Sequence, residues 1–303
     1  MDYSLSVVVC SYNRYKLLRK CIAHLIKIKK EVIPIEIVVI DDGSKNLVDI
    51  EFQNYLFLNK IIYKRNEQNR GLAFSRNIGI KESSSKYILI CDDDDMYIKP
   101  ENIKKIYLEM IQNNTDIGIG MPTSHSSFKN DKYNNLQEIF SAGITPPVSY
   151  QIYKKALIEK DAYNDCIKAG IDIDLWINLL KKNPKVSLIK NCDIKSFKHK
   201  PNSSLTTNYE KRKNNLISSR KIWEKKITEI YGDEFFLKFK KASLDYELWF
   251  VFLDNLSRNK FMTSLIILAK NFNYIFLFRL YRYFIWKFLN IKMPVNSHLI
   301  NLI

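Results

Sequence analysis

Four consecutive aspartates, Asp92–Asp95, close an apolar run, Lys86–Cys91, that reads as a β-strand. Carboxylates packed so densely repel and raise one another's pKa. A divalent cation resolves that repulsion. Hard oxygen ligands suit Mg²⁺ or Mn²⁺, which keep positions open for phosphate oxygens. The competing reading is a solvated acidic turn that caps a helix starting near Glu101. A second acidic strand end, Asp41-Asp42-Gly43-Ser44, follows the β-branched run Ile35–Ile40. A carboxylate there can accept hydrogen bonds from a nucleobase or a ribose. Asp-Gly also serves as a plain β-turn pair. Neither GxGxxG nor GxxxxGK[ST] occurs, so phosphate charge would have to be met by metal and basic side chains.

The elements that must position these residues alternate. Leu5–Cys10 is a continuous β-branched run, expected to be a strand buried on both faces. Ser11–Arg14 turns into a helix marked by Leu17, Leu18, Cys21, Ile22, Leu25, Ile26 and Ile28, and Pro34 stops it. After the strand Ile35–Ile40 come a helical stretch, Leu47–Leu58, a short strand, Lys60–Tyr63, and a helix over Gly71–Ile80. Glu101–Ile111 is predicted helical. Residues 112–170 carry Gly118, Gly120, Pro122, Pro146 and Pro147, which break any regular reading. Asp172–Leu180 is helical up to Asn183-Pro184, and Val186–Ile189 is a strand. Strands alternating with helices predict an α/β fold with a mostly parallel sheet and right-handed crossovers. Ligands bind beyond the carboxyl ends of such strands. Ser11–Arg14, Asp41–Ser44 and Asp92–Asp95 all lie at those ends and should share one cleft.

Four segments, SVVVCSYNR (Ser6–Arg14), IVVIDDGS (Ile37–Ser44), NRGLAFSRNIG (Asn69–Gly79) and YILICDDDD (Tyr87–Asp95), together resemble the family 2 glycosyltransferases, inverting enzymes of the GT-A fold. A fifth, Asp172-Ile173-Asp174-Leu175-Trp176, is similar to the family's later acidic motif and extends the resemblance to about residue 205. The resemblance implies roles. Cys10, mainly through its backbone, and Tyr12 line the nucleotide pocket, with Asn13 and Arg14 in the same turn. Asp42 binds the base. Arg76 lies near the nucleotide and steadies phosphates, against the alternative of a surface arginine at a helix start. Asp92 faces the ribose or sugar with Asp93 beside it, and Asp94 holds the metal. The register within the four aspartates is open by one residue. Asp172 matches the catalytic base. The family usually has Glu-Asp there and this chain has Ile171-Asp172, so a neighbour that orients the base is missing. The competing role for Asp172 is a helix N-cap. His199 is a candidate metal ligand, with a pyrophosphate contact or a plain exposed histidine as alternatives. Trp176, spaced with Leu175, Leu179 and Leu180, is expected in the core ahead of sugar stacking.

The chain has 303 residues, 46% hydrophobic and 26% charged, an ordinary globular balance. Five scattered cysteines form neither a disulfide scaffold nor a zinc site. The first residues lack the basic and apolar regions of a signal peptide, and no stretch suits a bilayer span. The expected location is cytoplasmic, peripheral on the inner face of the membrane. The net charge of +16 calls for an anionic partner, unless Lys-rich composition alone explains it. The expected division is a catalytic domain over 1–205 and a helical, basic and aromatic extension over 206–303. Within that extension, 271–292 interleaves aromatic and basic residues, as a headgroup interface would. Packing on the catalytic domain or on a second subunit is the alternative. Lys211–Lys213 and Lys221–Lys226 add a basic surface.

The combined expectation is an inverting, Mn²⁺- or Mg²⁺-dependent glycosyltransferase. It would move a sugar from a nucleotide-sugar donor, UDP-linked by the resemblance, to a glycan or lipid-linked acceptor of a surface polysaccharide or lipooligosaccharide. Nucleic acid is not expected as a partner, because the densest acidic cluster sits in the predicted cleft and no recognition motif occurs. The alternatives are a nucleotidyltransferase, which would show a Gly-rich phosphate loop, and an inactive membrane-associated or nucleic-acid-binding protein.

Overall fold

The structure is a computed structural model that describes residues 4–97, 99–121, 135–141, 146, 148–160, 162–196, 215 and 218–232. A first compact unit comprises Met1–Pro122 and Thr145–Lys226. A second comprises Thr123–Ile144 and Ile227–Ile303, of which 135–141 and 227–232 are described, both helical. His199 and residues 271–292 lie outside the described residues.

The first unit is built on a seven-stranded sheet. The strands are β1 (Leu5–Ser11), β2 (Ile35–Asp41), β3 (Ile62–Arg65), β4 (Tyr87–Asp92), β6 (Ile117–Met121), β7 (Gln151–Lys154) and β8 (Val186–Lys190). Their spatial order is β3-β2-β1-β4-β7-β6-β8. β7 runs antiparallel to both neighbours and every other pairing is parallel. Two short strands, β5 (Asp95–Tyr97) and β9 (Ile194–Ser196), form a separate antiparallel pair. The β-branched runs are central because both sheet faces are covered: every residue of β1 and β2 is buried. Each such Val, Ile or Leu contributes roughly 1.5–3 kcal/mol by leaving water.

The helices follow from the same patterning. α1 (Tyr15–Glu31) buries Leu18, Cys21, Ile22, Leu25, Ile26 and Ile28 on one stripe. α2 (Ile50–Leu58) begins three residues later than its apolar pattern suggests, because the Asp49 side chain accepts a hydrogen bond from Phe52 N–H and caps it. α3 (Leu72–Glu82), α4 (Glu101–Gln112), α5 (Leu136–Ser141), α6 (Lys155–Ile158) and α7 (Ile171–Leu180) complete the order. Gly79 of α3 meets β1 directly: a Cβ there would strike the Val8 side chain. Gly118 and Gly120, read from sequence as breakers, instead lie inside β6. A Cβ on either would collide with Ile106 of α4, and on Gly118 with Met110 also. They are glycines because a helix packs that closely on the strand.

The register levels the strand ends. Ser11 pairs with Asp41, and Cys10 pairs with Asp92. The three polar segments therefore reach the same edge of the sheet, as the alternation of elements requires.

Candidate active site

Arg76 is the centre of this edge. Its side chain is 2% exposed, the cost of burial being met by two carboxylates. Nη1 donates to Asp172 Oδ1 at 2.7 Å and Nη2 donates to Asp92 Oδ1 at 2.8 Å. One guanidinium fork thus joins the end of β4 to the start of α7, and Arg76 itself is ninety-six residues from Asp172 in sequence. Its carbon lies 5.3 Å from the centroid of the buried Tyr163 ring. Burial pulls the guanidinium pKa down, but Tyr163, Asp172 and Asp92 outweigh it and hold the charge firmly on. The alternative of a surface arginine is overturned: Arg76 faces inward and binds the acidic residues themselves.

Asp172 sits in the first turn of α7, where the helix dipole favours a carboxylate. It is not the N-cap; that position belongs to Gly170, in the left-handed conformation with φ 64°. The side chain is 34% exposed, open enough to meet a substrate. Burial raises its pKa above the usual carboxylate range, Arg76 opposes that rise, and Asp92 adds to it. Arg76 supplies the orienting contact that the absent neighbouring Glu left open. Asp92 is the most open of the four aspartates placed, at 39%.

The other aspartates do different work. Asp93 is fully buried, accepts a hydrogen bond from Ser11 Oγ at 2.6 Å and is ion-paired with Arg14 Nη2. Burial pushes its carboxyl up to about 7, against the pull of Arg14 and Ser11. Asp94 lies 3.9 Å from Arg14 Nη1. Asp95 is buried and accepts from Ser149 Oγ. The four therefore alternate by pleat and turn between the cleft and the interior.

Asp42 is buried and anchors a loop. Oδ1 accepts from Asn66 Nδ2 and Arg70 N–H, and Oδ2 accepts from Gly71 N–H, each at 2.9 Å. Asp41 Oδ1 accepts from Ser44 N–H and its Oδ2 from the Tyr63 hydroxyl. Gly43, at φ 72°, lies so close to the backbone of Gln68 and Asn69 that no side chain fits. Asn13, also at positive φ, joins two loops: its N–H donates to Ser44 Oγ and its Oδ1 accepts from Lys45 N–H. Tyr12 is exposed and Cys10 is buried, its thiol pKa driven up mainly by burial. Between these loops lies a cavity of about 350 Å³ bordered by Ser11, Asn13, Tyr15, Asp41, Ser44 and Lys45.

Beneath α7, Trp176 is fully buried and donates through Nε1 to Gln151 Oε1, as a core residue should. Asp174, two residues after Asp172 and on the other side of the helix, is fully buried and paired with Lys226 Nζ at 2.5 Å. Ser219 Oγ accepts from Ala169 N–H, and the Trp223 ring fills the space where a Gly170 side chain would stand. Residues 218–226 are thus packed against the start of α7. Lys226, assigned from sequence to a basic surface, is spent on a buried acid.

Sequence reading missed the roles of Asn66, Tyr163, Ser149 and Lys226, and the contact of Ser11 with Asp93. Their partners are distant in sequence, and only the three-dimensional register brings them together. Among the described residues no group of three or more His, Cys, Asp or Glu is arranged to hold a metal. Among the same residues no helix is long and apolar enough to cross a membrane.

A mostly parallel sheet with one antiparallel strand has solved counterparts. S. aureus TarS 1–349 in complex with UDP-GlcNAc superposes with a TM-score of 0.59 at 18% identity, over 80% of this chain and 72% of that one. The mannosyltransferase PcManGT of Pyrobaculum calidifontis, in complex with GDP-Man and Mn²⁺, gives 0.58 at 12% identity, over 98% of this chain and 83% of that one. The fold is the GT-A type of nucleotide-sugar enzymes.

The family model Glycosyl transferase family 2 matches residues 6–171, more than half of the chain, and the chain belongs to that family. Asp172 stands one residue beyond the matched segment. An uncharacterized glycosyltransferase of Rickettsia felis is 29% identical over 197 residues, 60% of this chain and 31% of that protein. An uncharacterized glycosyltransferase of Haemophilus influenzae is 37% identical over 113 residues, 37% of this chain and 36% of that protein. The chain thus spans about a third of the length of these relatives.

Proposed function

We propose that this chain is an inverting, metal-dependent glycosyltransferase that moves a sugar from a nucleoside-diphosphate donor, UDP-linked, to a hydroxyl of a glycan or lipid-linked acceptor in surface-polysaccharide or lipooligosaccharide assembly. One observation carries the reading: a buried guanidinium joins the open carboxylates Asp92 and Asp172 at the carboxyl edge of the sheet. Inversion needs one carboxylate to take the acceptor hydroxyl proton as the oxygen attacks the anomeric carbon. Asp172 is suited to this. It is oriented, partly open, and raised in basicity by its surroundings.

The rest of the cleft divides the remaining work. The cavity between the Ser11–Asn13 and Ser44–Lys45 loops accepts the nucleobase and ribose, walled by Asn13, Tyr15 and Asp41. Tyr12 and the Cys10 backbone, neighbours of Ser11 in the chain, are assigned to the same nucleotide pocket. Asp92 and Asp94 supply hard oxygen donors. Two carboxylates are what Mg²⁺ or Mn²⁺ takes from protein when waters and substrate phosphates complete its shell. When bound, the metal would neutralise the leaving diphosphate. His199 is proposed as a further ligand. Arg14, held by Asp93, adds positive charge beside the same carboxylates.

Support for the UDP preference and the metal comes by analogy, from the ligands named for the two solved neighbours. The test is calorimetric binding of UDP, GDP, CDP and dTDP, with and without Mn²⁺, to the parent chain and to Asp94→Ala. The expected result is tight, Mn²⁺-dependent binding of UDP that Asp94→Ala weakens at least tenfold. A folded sample that binds none of the four would overturn the reading.

A further inference from the structure

α2 is apolar on two opposite faces. Phe52 and Leu56 face the core and are buried. On the other side, Ile50, Phe57 and Leu58 stand 70%, 81% and 76% exposed, and Leu47, one turn before them, 71%. At 100° per residue Ile50, Phe57 and Leu58 fall within one sector about 100° wide on the side away from the buried pair, with the exposed Asn54 among them, and Leu47 lies in the loop just before the helix. Single exposed apolar residues need no explanation, but a stripe of three large ones beside a fourth does.

The charges around the stripe indicate what covers it. The acidic residues nearby are engaged within the protein: Asp49 and Glu51 share the one cation Arg19, and Asp49 also accepts from the Tyr15 hydroxyl. Lys45 and Lys60, exposed at the two ends of the stripe, have no carboxylate partner among the described residues. An apolar sector bounded by uncompensated lysines, on a chain of net charge +16, matches an anionic lipid surface: hydrocarbon under the stripe, headgroups at the lysines. A second protein copy fits less well. The neighbouring edge strand β3 carries Lys64 and Arg65, charged residues of the kind that keep an edge from pairing with another sheet.

We propose that the exposed face of α2 is a membrane-docking surface that seats the first unit on an anionic bilayer. The proposal stands apart from the catalytic reading, since none of the four apolar residues belongs to the cleft machinery. It also adds a contact distinct from residues 271–292. Leu47 follows the loop that borders the cavity, so docking would bring the cavity rim close to the headgroups. An acceptor carried by a lipid would then be met at the bilayer.

The experiment uses the full chain, with phosphatidylglycerol-containing and pure phosphatidylcholine vesicles. Flotation is measured for the parent, for Ile50→Ser/Phe57→Ser and for Lys45→Glu/Lys60→Glu. Hydrogen exchange is followed over residues 45–60. Both variants change exposed side chains only, and an unchanged unfolding temperature verifies their fold. The expected result is binding to anionic vesicles alone, reduced roughly tenfold or more in each variant. Slowed exchange over 45–60 should appear only when those vesicles are present. Unchanged flotation in both variants, or slowed exchange confined to 271–292, would overturn the proposal. So would protection over 45–60 that rises with protein concentration without vesicles, which would make the face a contact between copies.

Discussion

Replacing Arg76 by Met removes the charge shared by Asp92 and Asp172 while keeping much of the side-chain volume. Two consequences follow from the geometry. The first is stability. Deleting one partner of a fully buried ion pair costs about 3–5 kcal/mol. Here the carboxylates are 39% and 34% exposed, and water recovers part of the loss, so about 2 kcal/mol is expected. The second is protonation. Burial and Asp92 raise the Asp172 pKa, and Arg76 is the main opposing influence. Without it, Asp172 keeps its proton to higher pH, because the adjacent opposite charge that favours the carboxylate is gone. A base works only when deprotonated, so the acid limb of the kcat profile moves upward. Activity lost at neutral pH returns as pH rises. The assay is nucleoside-diphosphate release from the UDP-sugar donor between pH 5 and 9, alongside thermal unfolding. Arg76→Lys should fall between the two, because an ammonium cannot form the planar two-carboxylate fork. An Arg76→Met enzyme whose acid limb stays in place would refute the argument, even if it were less stable.

Asp172→Asn should keep nucleotide binding and lose about 10²–10⁴-fold in transfer, and full residual transfer would remove it as the base. Lys226→Met strands the buried Asp174 carboxylate. Unfolding should become easier by about 3 kcal/mol, and adding Asp174→Asn should recover part of that in a double-mutant cycle. Gly79→Ala places a methyl against Val8, and chemical denaturation should show a loss of about 1–3 kcal/mol at unchanged m-value.

Much of this was legible in the sequence because it depended on local pattern. The runs around Val8, Val38 and Leu89 could only be buried strands, and the acidic segments at their ends had to share an edge. Asp172 is singled out by a motif, whereas its contact with Arg76 is seen only in the fold. Other features depended on register rather than pattern. Nothing local distinguishes Asp93, turned inward to Ser11 and Arg14, from Asp92, turned to the cleft; the turn after β4 decides it. Arg76 is placed near the nucleotide by the resemblance alone, and its partner Asp172 becomes visible only in the folded chain. Around Gly118 and Gly120 the sequence shows two breakers, whereas the close approach of α4 turns them into strand residues. β7 was obscure because it is four residues long and inserted antiparallel between distant neighbours.

The Asp174–Lys226 pair also bears on how the chain is made. Fifty-two residues separate the two in sequence. At roughly 5–20 residues per second, a ribosome needs several seconds between adding the acid and adding its counter-charge. Throughout that interval the helix bearing Asp172 holds an acid with no cation to bury it against. The helix that carries Asp172 and Asp174 gains this ion pair only once residue 226 has left the tunnel. A fragment ending at residue 205 would retain Asp92, Arg76 and Asp172 but lack the cation with which Asp174 is paired.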